Sequence, residues 1–147
     1  MCIRDRPWII KRIGSTKPDW VAGLALADIN SDGLSDVIVG GYSRGPRAED
    51  GNVTLDKPLG RITWFENPNS FQKTWIRHDI SRRKRGMFDG FEARDLDKDG
   101  DMDLISTRGN SVPYDGVFWL EQVRSDMATS NFQRVRKEDS QEVGLGE

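Results

Sequence analysis

The sequence predicts an all-β fold built from repeated four-stranded antiparallel sheets, and three observations carry that prediction. Short apolar segments rich in β-branched and aromatic residues are separated by Gly, Asn, Asp and Pro, the pattern of strands joined by turns. No stretch combines a 3.6-residue apolar period with helix caps, so no helix is expected. The third observation is an internal duplication. Laying residues 8–41 on 75–108 without a gap gives 10 identities in 34 positions, where average composition predicts about two.

Taken in order, Trp8-Ile9-Ile10-Lys11-Arg12-Ile13 reads as a short strand, and Trp75-Ile76-Arg77-His78-Asp79-Ile80 repeats it 67 residues later. Four strands are expected in a first unit near 21–28, 36–41, 61–67 and 75–80. Four more are expected near 88–95, 103–108, 116–122 and 132–136. Beyond the loops the register changes: Trp64 matches Trp119 at a separation of 55, so the first unit carries 12 extra residues, within 42–60. That insert is rich in Gly, Pro, Asp and Arg, the composition of a surface loop. Ile62-Thr63-Trp64-Phe65 and Val117-Phe118-Trp119-Leu120 are apolar on both faces, so each sheet is expected to lie between two neighbours.

Four-stranded sheets stacked at such a period describe a β-propeller. The expected fold is therefore a fragment of about two blades, blade A near 21–80 and blade B near 88–136, with parts of flanking blades at both ends. Trp8–Ile13 would be the outermost strand of a preceding blade, and Val143-Gly144-Leu145-Gly146-Glu147 the start of a following one. A β-sandwich is the competing architecture, but it does not account for a duplicated four-strand unit. Met1-Cys2-Ile3-Arg4-Asp5-Arg6 resembles translated sequencing adapter, so 1–6 are read as a non-biological leader and 7–147 as the partial propeller.

Composition narrows the chemistry. The longest apolar run, residues 21–27, is far shorter than the roughly 20 residues that cross a bilayer, so no membrane span is expected. A net charge of −2 gives no global reason to expect nucleic acid, whose binding rests on concentrated Lys and Arg. Cys2 and His78 are the only cysteine and histidine, which removes disulfide frameworks and Cys/His zinc sites. Any metal site must be built from oxygen.

Two stretches offer that oxygen. Asp95-Leu96-Asp97-Lys98-Asp99-Gly100-Asp101-Met102-Asp103 places carboxylates on alternate positions around one glycine, and Asp28-Ile29-Asn30-Ser31-Asp32-Gly33-Leu34-Ser35-Asp36 echoes it 67 residues earlier. A hard cation such as Ca2+ takes about 6 to 8 oxygen ligands, and a tight loop supplies them by turning alternate side chains inward. Asp95, Asp97 and Asp99, the carbonyl of Asp101 and a closing Asp103 form one expected set. Asp28, Asn30, Asp32, the carbonyl of Leu34 and Asp36 form the other. Two Ca2+ sites are therefore expected, the second loop binding more tightly because Asp97 replaces the neutral Asn30. An EF-hand requires Glu at loop position 12 and flanking helices, but Val39 and Ser106 stand there.

These D-x-[DN]-x-D-G-x-x-D loops, the preceding Gly23-Leu24-Ala25-Leu26-Ala27 and Gly90-Phe91-Glu92-Ala93-Arg94, and Trp64-Phe65-Glu66-Asn67-Pro68 together resemble the FG-GAP/VCBS repeats of integrin-like β-propellers. The second copy departs from the pattern, ending Trp119-Leu120-Glu121-Gln122. The resemblance implies Ca2+ in the hairpin between the first two strands of each blade. It also implies a secreted, cell-surface or periplasmic protein that binds a protein or carbohydrate ligand or mediates adhesion, without catalysis of its own. The alternative is the propeller part of a carbohydrate-active lyase or dehydratase.

Other features read more plainly. Arg82-Arg83-Lys84-Arg85 aligns with Ser15-Thr16-Lys17-Pro18 and is expected to be a solvated loop. Asn52-Val53-Thr54 fits a glycosylation acceptor. His78 aligns with Lys11, so no imidazole is demanded there. Glu66 and Glu121 hold equivalent places, which argues for a shared packing role over a glycosidase pair.

Overall fold

Alternating side chains and tight acidic turns give two antiparallel sheets. In the computed structural model, which describes residues 8–17, 19–42, 61–70, 72–81, 87–109 and 116–124, the first sheet contains β1 (Trp20–Ala27), β2 (Asp36–Tyr42), β3 (Ile62–Glu66) and β4 (Ile76–Ser81). The second contains β5 (Phe91–Arg94), β6 (Asp103–Arg108) and β7 (Gly116–Leu120). Within each sheet every strand pairs with the one before it, so each is an antiparallel meander.

The register assigns the faces. Ala25 lies opposite Ile38, and Ile38 opposite Trp64, while Leu24 faces Val39 and Val39 faces Thr63. Because side chains alternate along a strand, Ala25, Ile38 and Trp64 share one face of the first sheet. That face packs on the second sheet, where Ile29, Ile38, Ile62, Phe88 and Leu104 form the buried core, flanked by Phe91, Phe118 and Leu120. Each large apolar side chain taken fully out of water there contributes about 1.5–3 kcal/mol. The opposite face of the first sheet holds a smaller cluster, Val37, Val39 and Phe65, covered by Ile13 and Trp75.

Residues 87–90 join the two layers. Met87 and Gly109 exchange backbone hydrogen bonds of 2.8 and 2.9 Å, Met87 also bridges Tyr42, and the Phe88 N–H reaches the Gly41 carbonyl at 3.4 Å. Phe88 is buried and meets Phe118 edge-on, ring centroids 5.8 Å apart. Gly40 makes this approach possible, because a Cβ there would collide with the Phe88 carbonyl oxygen and the Phe91 ring. A buried ion pair ties the start of β1 to the start of β3: Arg61 Nη1 donates to both oxygens of Asp19 at 2.8 and 2.9 Å.

The propeller expectation is corrected by this architecture. The described residues make one four-stranded and one three-stranded sheet, with no closed or curled arrangement, so the FG-GAP/VCBS resemblance does not extend to the fold. The adhesion or binding module built on that ring, and its enzyme alternative, lose their scaffold with it. The physical reason lies in the strands that are apolar on both faces. β3 is covered on one side by the second sheet and on the other by Ile13 and Trp75, so two layers and one crossing segment satisfy it. β7, with the same pattern, leaves Val117 and Trp119 at 74% and 50% exposure, so its composition did not require a second neighbour.

Trp8–Ile13 is corrected too: it forms no strand, and Trp8, Ile9 and Ile10 are exposed while Ile13 packs inward. The fifth strand is shorter than expected, because 88–90 serve the seam. The leader at 1–6, the insert beyond Tyr42, Asn52, the basic cluster 82–85, the strand expected at 132–136 and the partial blade at 143–147 lie outside the described residues. Among those described, no helix is long and apolar enough to cross a membrane, which has no bearing on β-barrels.

Candidate metal centre

Both acidic loops are hairpin turns, the first (28–36) joining β1 to β2 and the second (95–103) joining β5 to β6. They follow one backbone plan. Ser31 and Lys98 occupy the left-handed region at φ 61° and 69°, and Gly33 and Gly100 follow at 84° and 98°. Glycine takes that conformation without the cost a side chain brings, which is why the turn can reverse so sharply just after Asp32 and Asp99.

Side-chain oxygens then clasp the turn from within. In the first loop Asp28 accepts from the N–H groups of Asp32 and Gly33 at 3.0 and 2.8 Å, Asn30 Oδ1 accepts from Asp32, and Asp32 Oδ1 accepts from Leu34 at 2.8 Å. In the second, Asp95 Oδ2 accepts from Gly100 at 3.2 Å, Asp97 Oδ1 from Asp99 at 3.3 Å and Asp99 Oδ1 from Asp101 at 3.1 Å.

The loops differ in what they leave over. Asn30 Nδ2 donates to Asp32 Oδ2 at 3.2 Å, so the amide satisfies its neighbour. Asp97, at the same place in the second loop, has no such proton to give. There the oxygens of Asp95, Asp97 and Asp99 lie within 4.8 Å of one another, a group able to chelate a metal ion. In the same loop Asp95 Oδ1 and Asp101 Oδ1 are buried with no hydrogen-bond partner. Asp101 is 3% exposed. Burial, together with the carboxylates of Asp99, Asp103 and Asp97, pushes its pKa above the ordinary aspartate value despite the opposing charge of Arg124. Crowded, desolvated carboxylates of this kind favour a counter-ion.

The closing aspartates carry a further role that spacing did not reveal. Asp36 Oδ2 accepts from the Ile29 N–H at 3.0 Å, and its Oδ1 from the Asn67 N–H at 2.8 Å. Asp103 repeats this with Leu96 at 3.1 Å and Gln122 at 3.0 Å. Each therefore joins the start of its loop to the exit of the third strand. Both are buried, yet their acidities move apart. Desolvation dominates at Asp36 and raises its pKa, against its two backbone hydrogen bonds. At Asp103 the Gln122 and Leu96 N–H groups and the Trp119 side chain outweigh desolvation and lower it.

Of the ten expected site residues, Asp95, Asp97 and Asp99 are brought together, Asp101 lies buried beside them, and Asp103 closes the turn as a staple. Asp28, Asn30, Asp32 and Leu34 form the self-satisfied first loop, closed by Asp36. Sequence reasoning also missed a constellation on the β3–β4 hairpin. His78 Nε2 lies 2.8 Å from Glu66 Oε2, and its ring stacks on Trp64 with centroids 4.3 Å apart. Trp64 and His78 are cross-strand partners, so the register of the β3–β4 hairpin was the available signal.

The fold and site thus define, in the described residues, an all-β arrangement of two small sheets carrying an acidic hairpin loop able to hold a metal ion. Comparison with known proteins finds no matching family model, curated protein or solved structure.

Proposed function

We propose that the 95–103 loop binds a divalent cation, that Ca2+ is the ion its ligands suit, and that the 28–36 loop takes a second Ca2+ more weakly. The reading rests on one observation: Asp95, Asp97 and Asp99 each bring a carboxylate oxygen within 4.8 Å of the others, in a loop where Asp95 Oδ1 and Asp101 Oδ1 are buried without a hydrogen-bond partner. Ca2+ accepts about 6 to 8 oxygens in flexible geometry, whereas Mg2+ demands a near-ideal octahedron and keeps its waters. Asp95, Asp97, Asp99 and Asp101, with water, meet the first requirement. Asp28, Asn30, Asp32 and the Leu34 carbonyl offer less charge, and Asn30 already neutralises part of it.

The ion's role in this reading is to brace the β5–β6 turn, and no chemical step is assigned to it. Affinities of roughly 10⁻⁴–10⁻³ M, as in extracellular modules, fit an extracellular, cell-surface or periplasmic setting. Calorimetric titration with Ca2+ tests the proposal. Two phases are expected, Asp99→Ala removing the tighter and Asp32→Ala the weaker; absence of binding at millimolar Ca2+ refutes it.

A further inference from the structure

The second loop already has a cation beside it. Arg124, just beyond β7, places Nε 3.4 Å from Asp101 Oδ2, while its Nη2 donates to Ser31 Oγ in the first loop at 2.7 Å. Gln122 follows the same path, its N–H on Asp103 and its Nε2 donating to the Ile29 carbonyl at 3.2 Å. The exit of β7 therefore touches both acidic loops. Arg124 holds Asp101 through one oxygen only, and the other, Oδ1, is buried without a partner. That leaves a coordinating position open on the side chain that the guanidinium neutralises.

We propose that Arg124 is a tethered counter-ion of the 95–103 loop, which competes with a divalent cation for Asp101 and links the occupancy of that loop to the 28–36 loop through Ser31. This rests on the cation reading given above. An ion drawn in by Asp95, Asp97 and Asp99 repels the guanidinium and takes up Asp101, so the hold of Arg124 on Asp101 weakens as the site fills. The far end of the bridge sits on Ser31, a residue in the left-handed region at φ 61°, so releasing it alters the first loop at its turn. Linkage is reciprocal: whatever strengthens the bridge weakens cation binding.

The test is titration of the full chain, wild type and Arg124→Gln, with Ca2+ by calorimetry and with Tb3+ by tryptophan-sensitised luminescence at low ionic strength. Arg124 is half exposed, and urea unfolding in chelator verifies that the variant folds. Removing one partly screened unit charge at this range should tighten binding by roughly three- to tenfold. Arg124→Lys should restore wild-type affinity, and Ser31→Ala, which cuts the far end alone, should tighten binding by a smaller factor. A merely structural bridge predicts the opposite sign, since its loss loosens the loop. Wild-type binding with Arg124→Gln unchanged or weaker overturns the role of Arg124 alone. A wild type that takes up neither ion overturns the cation reading and this inference with it.

Discussion

Asp36→Ala separates the two roles open to a closing aspartate, hairpin staple and metal ligand. Its carboxylate accepts the Ile29 N–H at 3.0 Å and the Asn67 N–H at 2.8 Å, and the residue is fully buried. Alanine leaves both donors without an acceptor, at about 1–3 kcal/mol each where water cannot replace it. Ile29 is buried, so its N–H falls in that range; Asn67 is only half-buried, so water recovers part of its loss. Relief from desolvating the carboxylate offsets a further part, leaving an expected destabilisation of about 1–4 kcal/mol. Urea unfolding followed by tryptophan fluorescence measures this directly, once in excess chelator and once in millimolar Ca2+. The staple role requires the loss to appear in chelator, where no ligand function exists. Wild-type stability of Asp36→Ala in chelator, with a deficit only in Ca2+, would refute the reasoning. Asp103→Ala should behave in the same sense through Leu96 and Gln122.

Three further outcomes follow from the structure. For Asp36 and Asp101 the folded pKa is raised above 3.8, so the stability each contributes is fully present below 3.8 and is lost as pH rises through the folded value. For Asp103 the folded pKa is lowered, so its contribution is present above 3.8 and is lost as pH falls through the folded value. In chelator, Asp36 and Asp101 should make the melting temperature rise as pH drops from neutral toward 3.8, whereas Ca2+, which binds the deprotonated loop, should reverse that slope; equal slopes with and without Ca2+ contradict the account. Gly40→Ala forces a Cβ onto the backbone oxygen of Phe88, and because backbone cannot rotate away, a loss of about 1–3 kcal/mol or more is expected; unchanged urea unfolding contradicts the packing. Asp19→Ala removes the carboxylate that accepts both Arg61 Nη1 hydrogen bonds in this buried pair and should cost about 1.5–3 kcal/mol in the same assay, with wild-type stability counting against the pair's contribution.

Local chemistry was legible in the sequence, and its tertiary consequences were not. Alternation and turn residues located β1 to β4, β6 and β7 to within a residue or two, since those signals act between neighbours in the chain. The same apolar composition misread Trp8–Ile13, because a strand also needs a partner edge: Ile76–Ser81 finds one on β3, while 8–13 pairs with no strand among the described residues. The acidic spacing located the Asp95, Asp97 and Asp99 group, because alternate positions in a glycine turn converge whatever the surroundings. The second bonds of Asp36 and Asp103, to Asn67 and Gln122, depend on where the third strand ends. The bridge from Asp101 to Arg124 depends on how β7 leaves the sheet. The ring failed as an inference because it treated apolarity on both faces as a demand for identical neighbours, when any apolar cover suffices; Ile13 and Trp75 supply it for β3.

The staples also explain how a nine-residue loop could hold an ion without a helix behind it. A metal loop must bring like charges together before the ion arrives, and repulsion opposes this by about 1 kcal/mol per pair at 4 Å even in bulk water. In the second loop the opposing forces are all anchored in the sheet. Asp103 begins β6, accepts from Leu96 at the loop's start and from Gln122 beyond β7, and so fixes both ends of the turn to paired strands. Within that frame Gly100 supplies the reversal, and the N–H groups of Asp99, Gly100 and Asp101 each oppose one carboxylate. The carboxylates are thus gathered by backbone donors that the folded hairpin provides and the unfolded chain does not. The ion would bind a geometry already formed, and its stabilisation would act on the β5–β6 hairpin, the pairing that carries Phe91 and Leu104 into the core.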